Sequence, residues 1–154
     1  MTMKENETGT TIDLSTMPRT FGMCNQAECN KANTCLRHYA YKLIGDKVPF
    51  INTLNPKWLA CQNDECSQYL SNQPIRRARG FICTIKAIPT GKAEGFRLSA
   101  INKMGYRRYY QCRKGEILLT KNEENLIISL ANRCGVILNN YFDNYEDVYL
   151  WSEE

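Results

Sequence analysis

The sequence predicts an α+β chain, mainly helical with one β-hairpin, and with a cysteine-rich, metal-binding N-terminal part. Three observations predict this class. Apolar residues recur at helical spacing in several separate stretches. One tyrosine-rich segment runs through a Lys-Gly turn into an apolar run, the pattern of a hairpin. Five of the eight cysteines fall between residues 24 and 66. The chain has 154 residues and is 43% hydrophobic, enough for a folded core and too apolar for a disordered chain. No apolar run approaches ~18 residues, so no membrane-spanning helix is expected. The first twenty residues lack the continuous apolar stretch of a signal peptide, and the expected location is the cytoplasm.

Residues 1–15 are polar and non-periodic and read as a disordered N-terminus. Residues 16–74 form the cysteine-rich, metal-binding region. Within it Leu36, Tyr39, Ala40 and Leu43 share a helical face, with Asn33 or Thr34 as cap and Gly45 as stop, while Pro49 and Asn55-Pro56 break structure. Residues 75–138 form a basic helix-helix-hairpin-helix region. Ala78, Phe81, Ile82 and Ile85 predict a helix over 75–88, ended by Pro89-Thr90-Gly91. Phe96, Ala100, Ile101 and Met104 predict a second helix over 92–104, with Gly105 as its cap. Tyr106 to Leu119 predicts the hairpin, turning at Arg113-Lys114-Gly115. Thr120 and Glu123 then stand in capping-box spacing before an apolar face of Leu126, Ile127, Leu130, Ala131 and Cys134, closed by Gly135. Residues 139–154 are an acidic, aromatic tail. Its rings at positions 141, 142, 145, 149 and 151 recur near helical spacing and are expected to dock, since left in water they would form a large apolar patch.

The clustered cysteines read as Cys24-x4-Cys29-x5-Cys35 and Cys61-x4-Cys66. Two thiolate groups brought together across a loop can supply the tetrahedral sulfur site that Zn²⁺ prefers, and an iron–sulfur cluster also takes four thiolates. Disulfides are not expected of a cytoplasmic chain. Five candidates, Cys24, Cys29, Cys35, Cys61 and Cys66, thus compete for four positions. His38, the only histidine, lies three residues after Cys35 and shares a helical face with it. Cys83, Cys112 and Cys134 sit in helix or strand patterns and read as small buried hydrophobes. No Ser/His/Asp set, Gly-rich phosphate loop or paired carboxylates can be assembled, so nothing points to an enzyme.

Charge is uneven along the chain. Residues 1–75 are neutral overall, 76–114 hold eleven basic side chains against the single acid Glu94, and 115–154 hold two basic against eight acidic. A basic middle attracts polyanions. Helix 75–88, a short turn, helix 92–104 and a basic hairpin resemble a winged helix-turn-helix. The second helix would offer Lys92, Arg97 and Lys103. The hairpin would offer Arg107, Arg108, Arg113 and Lys114 to phosphates, with Tyr106, Tyr109 and Tyr110 hydrogen-bonding phosphates or stacking on bases.

Several of these residues also form a pattern. Cys24, Cys29, Cys35-Leu36-Arg37, Asn55-Pro56, Cys66, Gly105-Tyr106-Arg107-Arg108-Tyr109-Tyr110, Arg113-Lys114-Gly115 and the closing Phe142-Asp143-x-Tyr145-Glu146-x-x-Tyr149-x-Trp151 resemble a family of small proteins from Bacteroides-group gut bacteria that carry a domain of unknown function. The likeness covers roughly residues 15–151 and brings no function. It favours Cys24, Cys29, Cys35 and Cys66 as the ligand set, with Cys61 a departure from the pattern. The residues therefore predict a metal-stabilised cytoplasmic module that binds nucleic acid, a role that would suit a regulator. The alternatives are an adaptor with a zinc site that meets an acidic protein surface, and an iron–sulfur or thiol redox protein.

Overall fold

The computed structural model describes residues 12–62 and 65–152. The expected loose N-terminus lies outside the described residues as far as position 11. From Ile12 onward the chain is packed: Ile12 is buried, and Asp13 caps a 3₁₀ turn over Leu14–Thr16 by accepting from the Ser15 N–H at 2.9 Å. The architecture is α+β, with six α-helices and one antiparallel pair of strands among the described residues. The chain forms two compact units, residues 1–75 with 149–154 and residues 76–148.

The first unit holds little regular structure. Helix α1 (Leu36–Leu43) follows a 3₁₀ turn over Ala32–Thr34, so Cys35, and not Asn33 or Thr34, occupies the N-cap position. Asn55-Pro56 does not simply break structure. The Asn55 side chain accepts from the Lys57 N–H at 3.0 Å and proline takes the first helical position, which starts the short helix α2 (Pro56–Ala60). The core of this unit is six buried residues, Ile12, Phe21, Met23, Leu36, Ala40 and Leu70. Trp151 closes over it edge-on to Phe21, with centroids 5.0 Å apart, and its indole N–H donates to Thr16 Oγ1.

The second unit is built around thirteen buried residues, including Phe81, Phe96, Tyr109, Leu119, Ile127 and Phe142. Its first element corrects the expected helix over 75–88. Residues Ile75–Arg79 are strand β1, paired with β2 (Asn144–Val148), and only Ile82–Ala87 are helical, as α3. The cause is tertiary. Gly80 has φ +73°, a conformation that ends the strand, and a Cβ there would stand 2.5 Å from Asp143 Oδ2. That carboxylate accepts from the Ile82 and Cys83 N–H groups at 2.7 and 2.8 Å, so α3 starts where a distant residue caps it. Helix α4 spans Thr90–Met104 and buries Phe96 and Ala100, as the apolar spacing predicts.

The expected hairpin over 106–119 is not formed. Tyr106–Lys114 are helix α5, burying Tyr109 and Cys112, three residues apart. Gly115, expected in a hairpin turn, is instead the left-handed residue that closes this helix, its N–H meeting the Cys112 and Gln111 carbonyls. Without a wing, the winged helix-turn-helix arrangement falls away. Tyrosine favours strands only where a partner strand offers it a surface, and here the aromatic and apolar positions found a helical groove instead. The tail is likewise corrected from helical spacing to strand β2, although its rings do dock: Phe142 is buried and Tyr141 and Tyr145 pack against the core.

Helix α6 (Lys121–Arg133) begins with the expected capping box. Thr120 accepts from the Glu123 N–H, and the Glu123 carboxylate accepts from the Thr120 N–H at 2.8 Å. The same carboxylate receives a bidentate pair from Arg108, Nη2 standing 2.8 Å from Oε2. Burial raises the Glu123 pKa, but the hydrogen bonds and charge of Arg108 and the Thr120 amide outweigh it and hold the carboxyl below its ordinary value. Glu123→Gln is expected to cost about 1 kcal/mol at neutral pH, read by urea unfolding followed by circular dichroism. Because the folded pKa is depressed, this stabilisation is complete above the unfolded carboxyl pKa and is lost as pH falls through the folded one. The gap between wild type and variant should therefore close in acid.

Candidate functional site

The cysteines of the first unit are brought together by backbone pairing between distant segments. Residues 34–36 lie against 70–72: the Leu36 N–H donates to the Leu70 carbonyl at 2.7 Å and the Asn72 N–H to the Thr34 carbonyl at 2.9 Å. This sets Cys35 near the turn that starts at Cys66, where the Tyr69 N–H donates to the Cys66 carbonyl. On the other side, the Met23 N–H donates to the Asn52 carbonyl, the Leu54 N–H to the Met23 carbonyl, and the Cys24 N–H to the Arg37 carbonyl. Cys24, Cys29, Cys35 and Cys66 consequently line one cavity of about 380 Å³. Cys24 and Cys35 are buried, and Cys29 and Cys66 are half-buried. Cys61 does not line it; its thiol is exposed and meets the Lys57 carbonyl in its own helix.

Two side chains brace this cavity. The Arg37 guanidinium donates through Nη1 to the Gly22 carbonyl at 2.7 Å and through Nε to the Gln68 carbonyl at 2.8 Å. It thereby ties together the segments that carry Cys24 and Cys66, while stacking 4.8 Å from the centroid of the Phe21 ring. His38 is buried, with Nδ1 at 3.1 Å from the Cys24 carbonyl. A carbonyl only accepts, so Nδ1 carries the proton and the ring fixes the Cys24 backbone. Arg37 lay within the Cys-Leu-Arg triplet of the sequence pattern, but only the fold reveals its role.

Burial pushes the Cys24 thiol above its ordinary pKa. The Gln26 N–H bonded to the sulfur pulls the other way, and the Cys35, Cys29 and Cys66 thiols, like charges when ionised, push it up again. The Cys24 sulfur is thus within electrostatic reach of the other three. Among the described residues, however, no three His, Cys, Asp or Glu side chains are already arranged to hold a metal ion. The thiols line the cavity wall without converging on one point.

The basic residues fall on the second unit, which carries thirteen Lys and Arg against seven Asp and Glu, net +6. Much of this charge is engaged within the unit. Arg97 on α4 is paired with Glu94 and donates to the Tyr110 hydroxyl, and Arg108 is held by Glu123. The Lys92 ammonium donates to the Cys134 carbonyl at 3.1 Å, and Lys114 stands 3.7 Å from Glu116. Lys103 and Arg107 are exposed. Arg113 lies over the Tyr110 ring at 5.9 Å. Of the three tyrosines on α5, Tyr109 is buried in the core, Tyr110 is half-buried and Tyr106 is 67% exposed.

The chain belongs to DUF6078, a family of unknown function whose model matches residues 3–151. No curated protein and no solved structure matches it.

Both tryptophans, Trp58 and Trp151, lie in the first unit, so tryptophan fluorescence reports its unfolding selectively. Arg37→Ala leaves two carbonyls without their charged donor and is expected to destabilise that signal by about 2–3 kcal/mol in urea. Arg37→Lys, which cannot reach both carbonyls with one planar fork, should recover no more than about half of the loss.

Proposed function

We propose that this member of the DUF6078 family is a metal-stabilised module that binds nucleic acid, with one zinc ion held by Cys24, Cys29, Cys35 and Cys66. The observation that carries the reading is the gathering of these four cysteines, and not Cys61, around one cavity. Four thiolates are a complete ligand set for a closed structural zinc site. The thin core of the first unit supports it further. Among the described residues, six buried apolar residues pack into one cluster there, against thirteen in the second unit, and a small connected core is commonly supplemented by a staple such as a metal. Coordination needs the sulfurs to move inward. Cys29 lies between two turns and Cys66 opens another, so both sit on backbone that can adjust. His38 then acts as a brace on Cys24 rather than as a ligand.

The nucleic-acid half of the reading rests on α5, which carries Arg107, Arg108, Arg113 and Lys114 and no carboxylate. Arg97 and Arg108 already have carboxylate partners, which leaves Lys103 and Arg107 as the exposed cations of the predicted set, joined by Lys114, whose 3.7 Å pair with Glu116 is solvent-exposed and weak. An acidic protein surface is the competing partner for the same face.

Protein purified without oxygen and without added metal should hold one zinc per chain by elemental analysis. Chelation should lower the tryptophan-reported melting temperature, since a structural site contributes its binding free energy to folding. Cys61→Ser should keep the metal, whereas Cys24→Ser and Cys66→Ser should lose it. Folded protein without metal would contradict the reading, and a brown, iron-containing preparation would replace zinc by an iron–sulfur cluster.

With about three phosphates neutralised, affinity for a labelled oligonucleotide should fall roughly 40-fold between about 50 and 200 mM salt, and Arg107→Glu should flatten that slope. Binding to an acidic protein but to no oligonucleotide at low salt would favour the adaptor.

A further inference from the structure

The outward face of α5 carries an aromatic feature that phosphate binding does not use. Its three tyrosines run from the core to the solvent. Tyr109 is 1% exposed and stands edge-on to Phe81, centroids 5.6 Å apart. Tyr110 meets Tyr109 edge-on at 5.1 Å and is pinned by Arg97 on its hydroxyl and by Arg113 over its ring. Tyr106 leans on Tyr110, with centroids 4.8 Å apart and planes tilted by 54°. The Tyr106 ring thus rests, at a tilt, against a ring anchored in the core, while the residue is 67% exposed. Exposed Lys103 and Arg107 flank it in sequence, and α5 offers no carboxylate to repel an anion.

We infer that Tyr106 is a stacking platform for an unpaired base, and that the nucleic acid bound by α5 is single-stranded. The inference rests on the nucleic-acid reading above. A ring held rigidly from behind and open in front stacks on a base face with little further loss of freedom, and such stacking tolerates any base because every base has a π-face. Base faces are accessible only where bases are not stacked in a duplex. Duplex readout needs free donors aimed at base edges, most often an arginine on guanine. The single arginine of α4 is committed to Glu94 and Tyr110, with Nε 2.9 Å from Glu94 Oε2. What α4 and α5 leave available is cations for phosphate and one ring for a base.

The test is fluorescence anisotropy at low salt with three labelled probes of equal length: oligodeoxyuridylate, oligouridylate and a blunt-ended duplex. Each is titrated with wild type, Tyr106→Ala, Tyr106→Phe and Arg107→Glu. Wild type should prefer a single strand to the duplex. Tyr106→Ala should weaken single-strand binding roughly tenfold and leave duplex binding within about twofold, while Tyr106→Phe retains wild-type affinity. Whichever of the two single strands binds more tightly identifies the sugar, and its affinity must be the one that Tyr106→Ala lowers. The side chain is exposed, so unchanged melting of Tyr106→Ala should show that the fold is intact. Equal single-strand affinity of Tyr106→Ala and wild type, with Arg107→Glu weakened, would overturn the platform and leave the phosphate reading standing. No binding of any probe by wild type would overturn both.

Discussion

The first unit depends on one guanidinium. Arg37 reaches from α1 to the carbonyls of Gly22 and Gln68, two residues from Cys24 and two from Cys66. These segments lie far apart in sequence; Phe21, Met23 and Leu70 bring them to one apolar core, but hydrophobic burial is non-directional and does not by itself fix their separation. Charge-assisted hydrogen bonds are stronger and more directional than neutral ones, and a planar fork meets two acceptors at once. With Arg37 in place, the pairing of 34–36 with 70–72 and the His38 brace on Cys24 bring four sulfurs to one cavity. The zinc proposed for this cavity would complete what the clamp begins, neutralising thiolates that would otherwise repel and adding cohesion to a small core.

The second unit uses charge differently. Asp143 caps α3 and makes Gly80 necessary, Glu123 caps α6 and holds Arg108, and Glu146 pairs with Arg79 across the sheet at 2.5 Å. These carboxylates set helix starts and strand registry. Because they consume arginines, the eleven cations of the basic middle reduce to a smaller exposed set, which includes Lys103 at the end of α4 and Arg107 and Lys114 on α5. A positively charged stretch of sequence is thus a poor measure of a positively charged surface. The acidic tail takes part in the architecture through Asp143 and Glu146, and the rings between and after them complete the packing.

Where signals were local, the sequence was legible. Helix α6 follows from Thr120, Glu123 and an apolar stripe within thirteen residues, and α4 from the spacing of Phe96, Ala100, Ile101 and Met104. The failures share a cause. Strand β1 has its partner more than sixty residues later and α3 its cap at Asp143, so neither can be read from residues 75–88 alone. In α5, the richness in tyrosine imitated a strand although positions 106, 109 and 110 fit helical spacing, and the expectation of Gly115 in a hairpin turn followed from that strand, whereas it caps the helix. At the site, spacing left five cysteines for four places. The family resemblance set Cys61 apart, and the long-range pairing that brings Cys66 to Cys35 is the physical reason it stands away from the cavity.

The central claim is that four sulfurs, and no nitrogen, surround one metal ion. X-ray absorption at the zinc edge of the purified protein measures this directly. The account predicts a single shell of four sulfurs at about 2.3 Å, unchanged in Cys61→Ser. A mixed shell of three sulfurs with one nitrogen at about 2.0 Å would make His38 a ligand, and a shell dominated by nitrogen or oxygen would place the metal elsewhere. Either result would contradict the assignment.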